Sequence, residues 1–338
     1  MNKAHSGTGY KGFTLPRALD ANLLNLDEGD HARLRRLVAH GFTPRRVEGL
    51  RSTIRDAANR LADTLSSNEQ GDVVADFAIP LPLTVISDLL AVPESDRRPF
   101  AAWVRNMFTP EHPGQIRDAV SAIHAFLGGL VENRRRSPGD DLLSALISAR
   151  DEGDRLSEDE LVSLAFLILM AGVENVQHLI SAGLLTLLRH PDQLAEIRSN
   201  PGLLPSAVEE LLRYAHPNQM AIRRFATEII EIGGVQIPKG DTVMLCLAAA
   251  HRDPARYPAA DRFEIHRKDK THLALGQGLH YCLGASLARA EIQIGLGVLL
   301  ERFPHLRLAV RADELEWRSS WRSRALRRLP LQLRSAHG

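Results

Sequence analysis

The sequence predicts a mainly α-helical protein with a small β region. Apolar residues recur at intervals of three and four over most of the stretch from Asp30 to Glu301, which is the period of an amphipathic helix. Strand signals are short and late, in IIEIGG, VQIP and TVMLCLA, and Gly and Pro separate them. No repeat, low-complexity run or linker interrupts the 338 residues, so we expect one domain over residues 1–338.

The predicted elements follow one another in a simple order. Helices are expected in HARLRRLVAHGF, VEGLRSTIRDAANRLADTL, the stretch near DFAIPLPLTVISDLL, IRDAVSAIHAFLGGLVENRRR, DDLLSALISAR and EDELVSLAFLILMAGVENVQHLISAGLLTLL. After the short strands comes a helix that begins just beyond Cys282. A hairpin is expected between Leu306 and Leu333.

Composition excludes several classes of function. The 42 basic residues nearly balance the 41 acidic ones, and a net charge of +1 gives no global reason to expect a nucleic-acid partner. Two cysteines make a disulfide framework unlikely and favour a reducing, cytoplasmic setting. The longest apolar stretch, around Leu161 to Gly172, is too short to span a bilayer, so no membrane segment is expected.

The segment from Leu161 to Leu185 predicts a helix that is apolar on every side, which is typical of a helix through the centre of a large protein. Gly172, Glu174 and Asn175 lie in its second half. Such residues are costly in a buried helix unless a polar or bulky group lies beside them. Considered alone, the segment is equally consistent with a core helix that carries incidental polar residues.

The stretch HLALGQGLHYCLGASLARAEIQIGLGVLLERF places Cys282 at the start of a helix, after a glycine-rich loop. Unpaired backbone N–H groups and the helix dipole favour a thiolate there. We expect Gly276, Gly278 and Gly284 to let the backbone turn tightly and approach a flat ligand.

A lone cysteine is more often a small buried residue than a ligand. Cys246 is expected to be such a buried residue, because TVMLCLA predicts a buried strand or the continuation of one. Zinc is poorly supported because no second thiol lies near Cys282. A cysteine hydrolase would need an activating His, and His280 lies in a loop suited to close approach rather than to a triad. A haem thiolate remains.

The cysteine loop resembles the haem-binding signature of the cytochrome P-450 superfamily. The resemblance is carried by Gly276, Gly278, His280, Cys282, Gly284, Ala288 and Arg289. Where the family usually has Phe beside the thiolate, this sequence has Leu275. The resemblance implies haem b with Cys282 as the ligand of its iron, and a cytochrome P-450 fold over about Leu23 to Leu333 that lacks the family's first helices and strands.

Other segments resemble the same family. Glu210 and Arg213 have E-x-x-R spacing on one helix face, and the resemblance implies that they join Arg262 in a buried, structural ion network. It also implies that two haem carboxylates are bound by basic side chains, namely His31, Arg35, Arg224 and His280. The run Ala171 to Asn175 resembles A-G-x-[Asp/Glu]-Thr, in which Gly172 makes room for dioxygen and the acid–alcohol pair delivers protons. Here the pair is Glu174 and Asn175, and an amide is not a hydroxyl relay.

The resemblance implies a monooxygenase of bacterial specialised metabolism, such as antibiotic biosynthesis. Its reaction is hydroxylation or epoxidation of a small apolar or polyketide-like metabolite, with electrons from a ferredoxin and a ferredoxin reductase. Asn175 leaves open a haem-thiolate isomerase or dehydratase that does not use oxygen. Asn175, Leu275 and the short amino-terminal part leave open an inactive accessory homologue, although a scaffold has no need of a thiolate. Asn175 itself is expected to require a polar partner, either an ordered water or a substrate group.

Overall fold

The computed structural model describes residues 19, 23–108, 110, 112–149 and 156–334. They form two compact units, each assembled from separate stretches of sequence. The first unit contains the described residues up to Thr43, together with Ile86–Ala171 and Ile222–Met244. The second unit contains Pro44–Val85, Gly172–Ala221 and the described residues from Leu245 onward.

The helices of the described residues are numbered along the chain. They are α1 (Glu28–Ala39), α2 (Pro44–Ser66), α3 (Pro80–Leu89), α4 (Arg97–Phe108), α5 (Pro113–Arg136), α6 (Leu142–Ala149), α7 (Glu158–Leu188), α8 (Pro191–Ser199), α9 (Leu204–Tyr214), α10 (Leu247–Ala250) and α11 (Ala285–Arg302). The strands are β1 (Gln70–Asp72), β2 (Arg224–Phe225), β3 (Ile230–Ile232), β4 (Val235–Ile237), β5 (Thr242–Val243), β6 (Arg307–Leu308) and β7 (Pro330–Gln332). The described chain is therefore mainly helical with a small β region, as the sequence predicts.

In the first unit α4 packs on α5, α5 packs on α6, and α1 contacts α6. The ring of Phe126 on α5 anchors the first of these contacts, since it lies 5.2 Å from the ring of Phe100 and 5.8 Å from that of Trp103. Arg33 of α1 donates to Glu160 at 2.5 Å, which joins α1 to the beginning of α7. Two antiparallel strand pairs, β2 with β5 and β3 with β4, complete this unit.

In the second unit α11 packs along α2 and against α9. The buried face of α2 is rich in alanine, with Ala57, Ala58 and Ala62 fully or almost fully buried, which lets another helix approach closely. Gly295 of α11 has the same role, because a Cβ there would lie 3.0 Å from Leu81 and 3.4 Å from Ile180. The C-terminal part of α7 is thereby held against α11.

The sheet of the second unit has the order β1-β7-β6, and all its pairs are antiparallel. The pairing of β6 with β7 confirms the hairpin predicted between Leu306 and Leu333. The third strand, β1, has the sequence QGD and no alternating pattern that would predict it. It is fixed by Asp72, whose carboxylate accepts from the backbone N–H of Leu329 at 2.8 Å and of Val74 at 3.1 Å.

The prediction for Cys246 is wrong. In TVMLCLA only Thr242 and Val243 form a strand, and Cys246 is an exposed residue that directly precedes α10 and makes an isolated bridge with Met220. The apolar run has the composition of a buried strand, but a four-residue helix at Leu247–Ala250 ends the extended conformation early.

Helix α7 has the bounds of the helix predicted in EDELVSLAFLILMAGVENVQHLISAGLLTLL, and it contains the apolar segment Leu161–Leu185. It is the one helix in the described part of the chain whose length and composition are sufficient to cross a membrane. Of its most apolar window, 67% is buried within the protein, which is the behaviour of a core helix. The sequence prediction of a mainly apolar, mostly buried helix is confirmed.

A buried ion pair links α9 to the chain that follows it. The guanidinium of Arg213 donates from Nε and Nη2 to both carboxylate oxygens of Glu210, at 2.9 and 2.8 Å, and both side chains are fully buried. Its other N–H groups donate to the backbone carbonyls of His251, Ala260 and Arg262 at 2.7 to 3.0 Å. Each donor therefore has an acceptor, which is the condition under which a buried charge is tolerated.

The third member of this network is Arg267, and the prediction of Arg262 is wrong. Arg262 contributes only its carbonyl, and its residue is exposed. Arg267 is 7% exposed, donates to Glu210 at 3.2 Å and also donates to the carbonyl of Pro258 at 2.7 Å. The family motif points to the arginine in D-R-F, whereas the structure turns that side chain outward and buries the next arginine along the chain.

We expect Arg267→Met to lower the free energy of unfolding by about 1–3 kcal/mol, because it removes a buried hydrogen-bond donor from Glu210 and leaves the carbonyl of Pro258 without its donor. Arg262→Met is the matched control and should change the free energy by less than about 0.5 kcal/mol, as exposed substitutions do. Denaturant unfolding of both variants measures the difference. Equal losses in the two variants would contradict the assignment of Arg267.

Candidate functional site

The loop that carries Cys282 closes on itself through the backbone. The N–H of Cys282 donates to the carbonyl of Leu275 at 2.7 Å, and a single 3₁₀ turn at Gly278–His280 fills the loop between them. Cys282 lies three residues before α11, and its carbonyl accepts from the N–H of Ala285. The predicted position at a helix start is therefore observed, and the thiol, which is in no disulfide, is half-buried.

Two glycines make this loop possible. Gly276 and Gly278 have φ angles of +74° and +70°, a conformation that L side chains rarely adopt. At Gly276 a Cβ would also lie 3.2 Å from the carbonyl oxygen of His280. Gly284 has a φ of −85° and lies with Leu283 in the turn that the N–H of Ala285 closes on the carbonyl of Cys282, so its turn does not need the left-handed conformation.

Glu209, on α9, stabilises the position of the cysteine loop through hydrogen bonds to Arg289 and His272. It receives two hydrogen bonds from Arg289 of α11, at 2.6 and 2.9 Å, and one contact from His272 at 3.2 Å. Burial alone would raise the pKa of Glu209, but the hydrogen bonds from Arg289 and His272 outweigh burial and lower the pKa to about 2. Arg289 also donates to the hydroxyl of Tyr281, next to the cysteine. The position of the loop thus depends on a carboxylate that stays ionised.

A neutral histidine, His251, stabilises the chain just before the cysteine loop. His251 accepts the backbone N–H of Leu273 at its Nε2, at 2.9 Å, so this nitrogen carries no proton. Burial, followed by the neighbouring His216 and His272, lowers the pKa of His251 to about 3. The ring therefore remains an acceptor over the whole neutral range.

Helix α7 presents a polar face where the sequence places Gly172, Glu174 and Asn175. Ala171 is exposed and these three residues are half-buried, whereas Val173 and Val176 between and after them are buried. Asn218 donates from its Nδ2 to the Oδ1 of Asn175 at 3.0 Å. Asn175 was expected to require a polar partner, and the partner in the structure is this side chain, which the sequence analysis did not identify.

Glu174 lies in a cluster of ionisable groups within the second unit. Burial raises its pKa, and the charges of Arg318 and Arg322 oppose that rise. One turn along α7, Nε2 of His178 lies 4.0 Å from the Glu174 carboxylate. Burial, with a contribution from Arg318, lowers the pKa of His178 to about 3, and neither ring nitrogen has a hydrogen-bond partner among the described residues.

The four side chains predicted for the haem carboxylates divide between the units. His31 and Arg35 lie one turn apart on α1, with His31 2% exposed and Arg35 half-buried. Arg224 is in β2, opposite Val243, and His280 ends the 3₁₀ turn of the cysteine loop. Each has the predicted chemistry, and their common role remains a prediction.

The donor set suits a haem better than a metal held by protein alone. Among the described residues no group of three or more His, Cys, Asp or Glu side chains is arranged to hold a metal ion. A metal at Cys282 would therefore take its other ligands from a non-protein group. A tetrapyrrole supplies four nitrogens and leaves an axial position for one thiolate.

Comparison with known proteins agrees with this chemistry. The family model described as Cytochrome P450 matches residues 83–319. The chain is 44% identical over 320 residues to the cytochrome P450 monooxygenase PikC of Streptomyces venezuelae, covering 94% of this chain and 77% of that protein. It is 44% identical over 315 residues to the 6-deoxyerythronolide B hydroxylase of Saccharopolyspora erythraea, covering 92% and 78%.

Among solved structures, the cytochrome P450 PksS of the Bacillus subtilis 168 bacillaene polyketide synthase aligns with a TM-score of 0.89 and 37% identity, over 94% of this chain and 82% of that chain. The fold is therefore that of the haem-thiolate oxidoreductases. The chain belongs to the cytochrome P450 family, whose members bind haem b, and it is an oxidoreductase of the monooxygenase type.

Six residues that support the site could not be identified from the sequence. These are Asn218, Glu209, His251, His272, His178 and Arg318. None stands in a motif, and each acts through contacts 4 to 144 positions away along the chain. Only the i, i+4 spacing of Glu174 and His178 was visible as a signal.

A pH test follows from His178. Its folded-state pKa of about 3 lies below the ordinary 6.5, so the unfolded chain binds a proton that the folded protein does not. The stability from the neutral ring is complete above pH 6.5 and is lost as the pH falls toward 3. We expect His178→Leu to reduce the slope of the unfolding free energy against pH by about 1.4 kcal/mol per pH unit between about pH 6 and 4.

Denaturant unfolding at several pH values measures that slope, and the exposed His305→Leu is the matched control for loss of a histidine. A parental slope in His178→Leu would show that the ring is protonated in the folded protein.

Proposed function

We propose that this chain is a monooxygenase in which the thiolate of Cys282 would bind the iron of haem b. The observation that carries this proposal is the closed loop from Leu275 to Cys282, with two left-handed glycines and a half-buried thiol immediately before α11. The bound haem supplies oxygen activation, which thiolate donation favours. We further propose that residues 1–338 act as one haem-thiolate domain in the cytoplasm.

The basic side chains would bind the haem carboxylates. We assign this role to His31, Arg35, Arg224 and His280, because each provides N–H donors suited to a carboxylate. His31 is buried on α1, and His280 lies two residues before the cysteine. Gly276, Gly278 and Gly284 would allow the loop backbone to lie close to the flat face of the ligand.

The face of α7 formed by Ala171, Gly172, Glu174 and Asn175 would hold dioxygen and move protons. Gly172 has no side chain, which would leave room for dioxygen beside the helix. A carboxyl group whose pKa is raised, as burial raises that of Glu174, holds a proton closer to neutral pH and can donate it. Asn218 fixes the Oδ1 of Asn175, so the amide N–H₂ remains directed by that bond and able to orient a water or a substrate oxygen.

We propose hydroxylation or epoxidation of a small apolar or polyketide-like metabolite, in specialised metabolism such as antibiotic biosynthesis. The relatives support this class, since one is named a 6-deoxyerythronolide B hydroxylase and another belongs to a polyketide synthase. Residues suited to the substrate wall include Met170, the stretch Met220 to Ile222 and the exposed Trp321.

A ferredoxin, itself reduced by a ferredoxin reductase, is the proposed electron donor. Arg36 is exposed on α1 and is suited to an acidic partner. Arg33 on α1 and Arg289 on α11 form ion pairs with Glu160 and Glu209 and so have less charge to offer to such a partner. The rate of haem reduction at several salt concentrations measures the contribution of Arg36 to docking. Arg36→Glu should weaken the salt dependence of this rate.

A second candidate is a haem-thiolate isomerase or dehydratase that does not use oxygen. Asn175 favours it, because an amide replaces the hydroxyl of the family's acid–alcohol pair. Product formation without oxygen or reductant is the observation that would select it. An inactive accessory homologue is disfavoured by the complete cysteine loop.

Replacing Cys282 with Ser tests the ligand. We expect the reduced, carbon monoxide-bound protein to lose the red-shifted absorption band of a thiolate haem, because a hydroxyl is a much weaker donor. The control is Cys246→Ser, which removes the other thiol and should keep the band. An unchanged band in Cys282→Ser would disprove the assignment.

Replacing Asn175 tests the proton path. Asn175→Thr should preserve or improve the coupling of NAD(P)H consumption to product, since it restores a hydroxyl. Asn175→Leu should raise hydrogen peroxide release severalfold, because it removes the polar group that Asn218 orients. Product and peroxide yields, with and without oxygen, measure both effects. If Asn175→Leu matched the parent under every condition, Asn175 would have no part in the reaction.

A further inference from the structure

A concave site lies within the second unit, and it shares one residue, Asn218, with the surroundings of Asn175. Its volume is about 340 Å³, at the lower end of the ~300–1,000 Å³ that small-molecule sites span. Its walls come from the C-terminal parts of α7 and α9, from α10 and its flank, and from the chain between Trp317 and Arg324.

The side chains around this cavity are strongly basic. Arg189, Arg213, Arg252 and Arg324 line it, and its lining contains no Asp or Glu. Arg213 is neutralised by Glu210, and Arg252 lies 3.5 Å from the exposed Asp261. Positive charge in the cavity therefore comes mainly from the other two arginines.

Arg189 and Arg324 are both exposed, and neither guanidinium has a carboxylate or carbonyl partner in the part of the chain that the structure describes. Their N–H donors are open to a ligand. A guanidinium presents five donors in a planar fork that matches the oxygens of phosphate or carboxylate.

Aromatic rings hold two of the arginines in place. The guanidinium of Arg324 lies 4.0 Å from the ring centre of Trp317, and that of Arg252 lies 3.9 Å from the ring centre of Tyr214. Stacking fixes the plane of a guanidinium and leaves the N–H groups along its edge available. Arg324 and Arg252 are thus positioned before any ligand arrives, which reduces the entropy lost on binding.

We propose that this cavity binds a small polyanion whose charge is carried by phosphate or carboxylate oxygens. The proposal goes beyond the monooxygenase function and does not depend on it. Arg189 and Arg324 bind the anion directly, and Trp317 holds Arg324 in position. Asn218 and Gln219, which also line the cavity, add amide groups that suit the remaining oxygens.

The test uses the haem-loaded protein at low ionic strength, with pyrophosphate as the phosphate probe and citrate as the carboxylate probe. Isothermal titration calorimetry should show one saturable site for at least one probe, and the fluorescence of Trp317 should change with the same dissociation constant. Arg189→Gln and Arg324→Gln should each weaken binding about tenfold, the effect of losing one charge-assisted hydrogen bond.

Arg307→Gln is the matched control, because it removes an exposed arginine from the same unit outside the cavity. It should leave the dissociation constant unchanged, and Trp317→Phe should abolish the fluorescence change while calorimetry still detects the anion. Absence of saturable binding of both probes would overturn the proposal, as would an equal loss of affinity in Arg307→Gln. An unchanged thiolate absorption band in all variants separates this result from any failure of the haem site.

Discussion

Helix α9 carries the interaction on which the haem-binding region depends. On one side of this helix Glu210 and Arg213 form a buried ion pair, and Arg267 joins it from the following chain. The carbonyls of Ala260 and Arg262 converge on the same guanidinium, so the irregular segment is fixed by charge rather than by strands. The preceding residue, Glu209, points to the cysteine loop through Arg289. A single turn of α9, from Glu209 to Arg213, therefore fixes the positions of both the irregular segment and the cysteine loop.

The long helix α7 combines two requirements that conflict. Its burial demands apolar side chains, whereas its second half has to present polar groups. The structure resolves the conflict locally, since the buried Val173 and Val176 flank Glu174 and Asn175, and Asn175 is held by Asn218. His178 and Gln177 remain buried without partners among the described residues, which is a cost to stability. Asn218 also lines the arginine-rich cavity, so one amide belongs to the wall of that cavity and to the surroundings of Asn175.

Much of the fold could be predicted from sequence because helical periodicity is a local signal. The central helix, the hairpin before Leu333 and the position of Cys282 before a helix were predicted correctly. The strand at Gln70–Asp72 could not be predicted, because Asp72 is fixed by hydrogen bonds to residues far along the chain. The role of Asn218 could not be predicted for the same reason, since its partner Asn175 is 43 positions away in the sequence. Contacts of this kind leave no periodic trace.

The acceptors of Arg213 have a consequence for how such chains diverge. Two of them are the main-chain oxygens of residues 260 and 262, which every amino acid possesses. The side chains at positions 260 and 262 can therefore change without loss of these two hydrogen bonds, provided that the backbone conformation is kept. Glu210, Arg213 and Arg267 have no such freedom. An alignment that assigns the network to the arginine of D-R-F would therefore track the exposed Arg262. It would overlook Arg267, whose side chain pairs with Glu210.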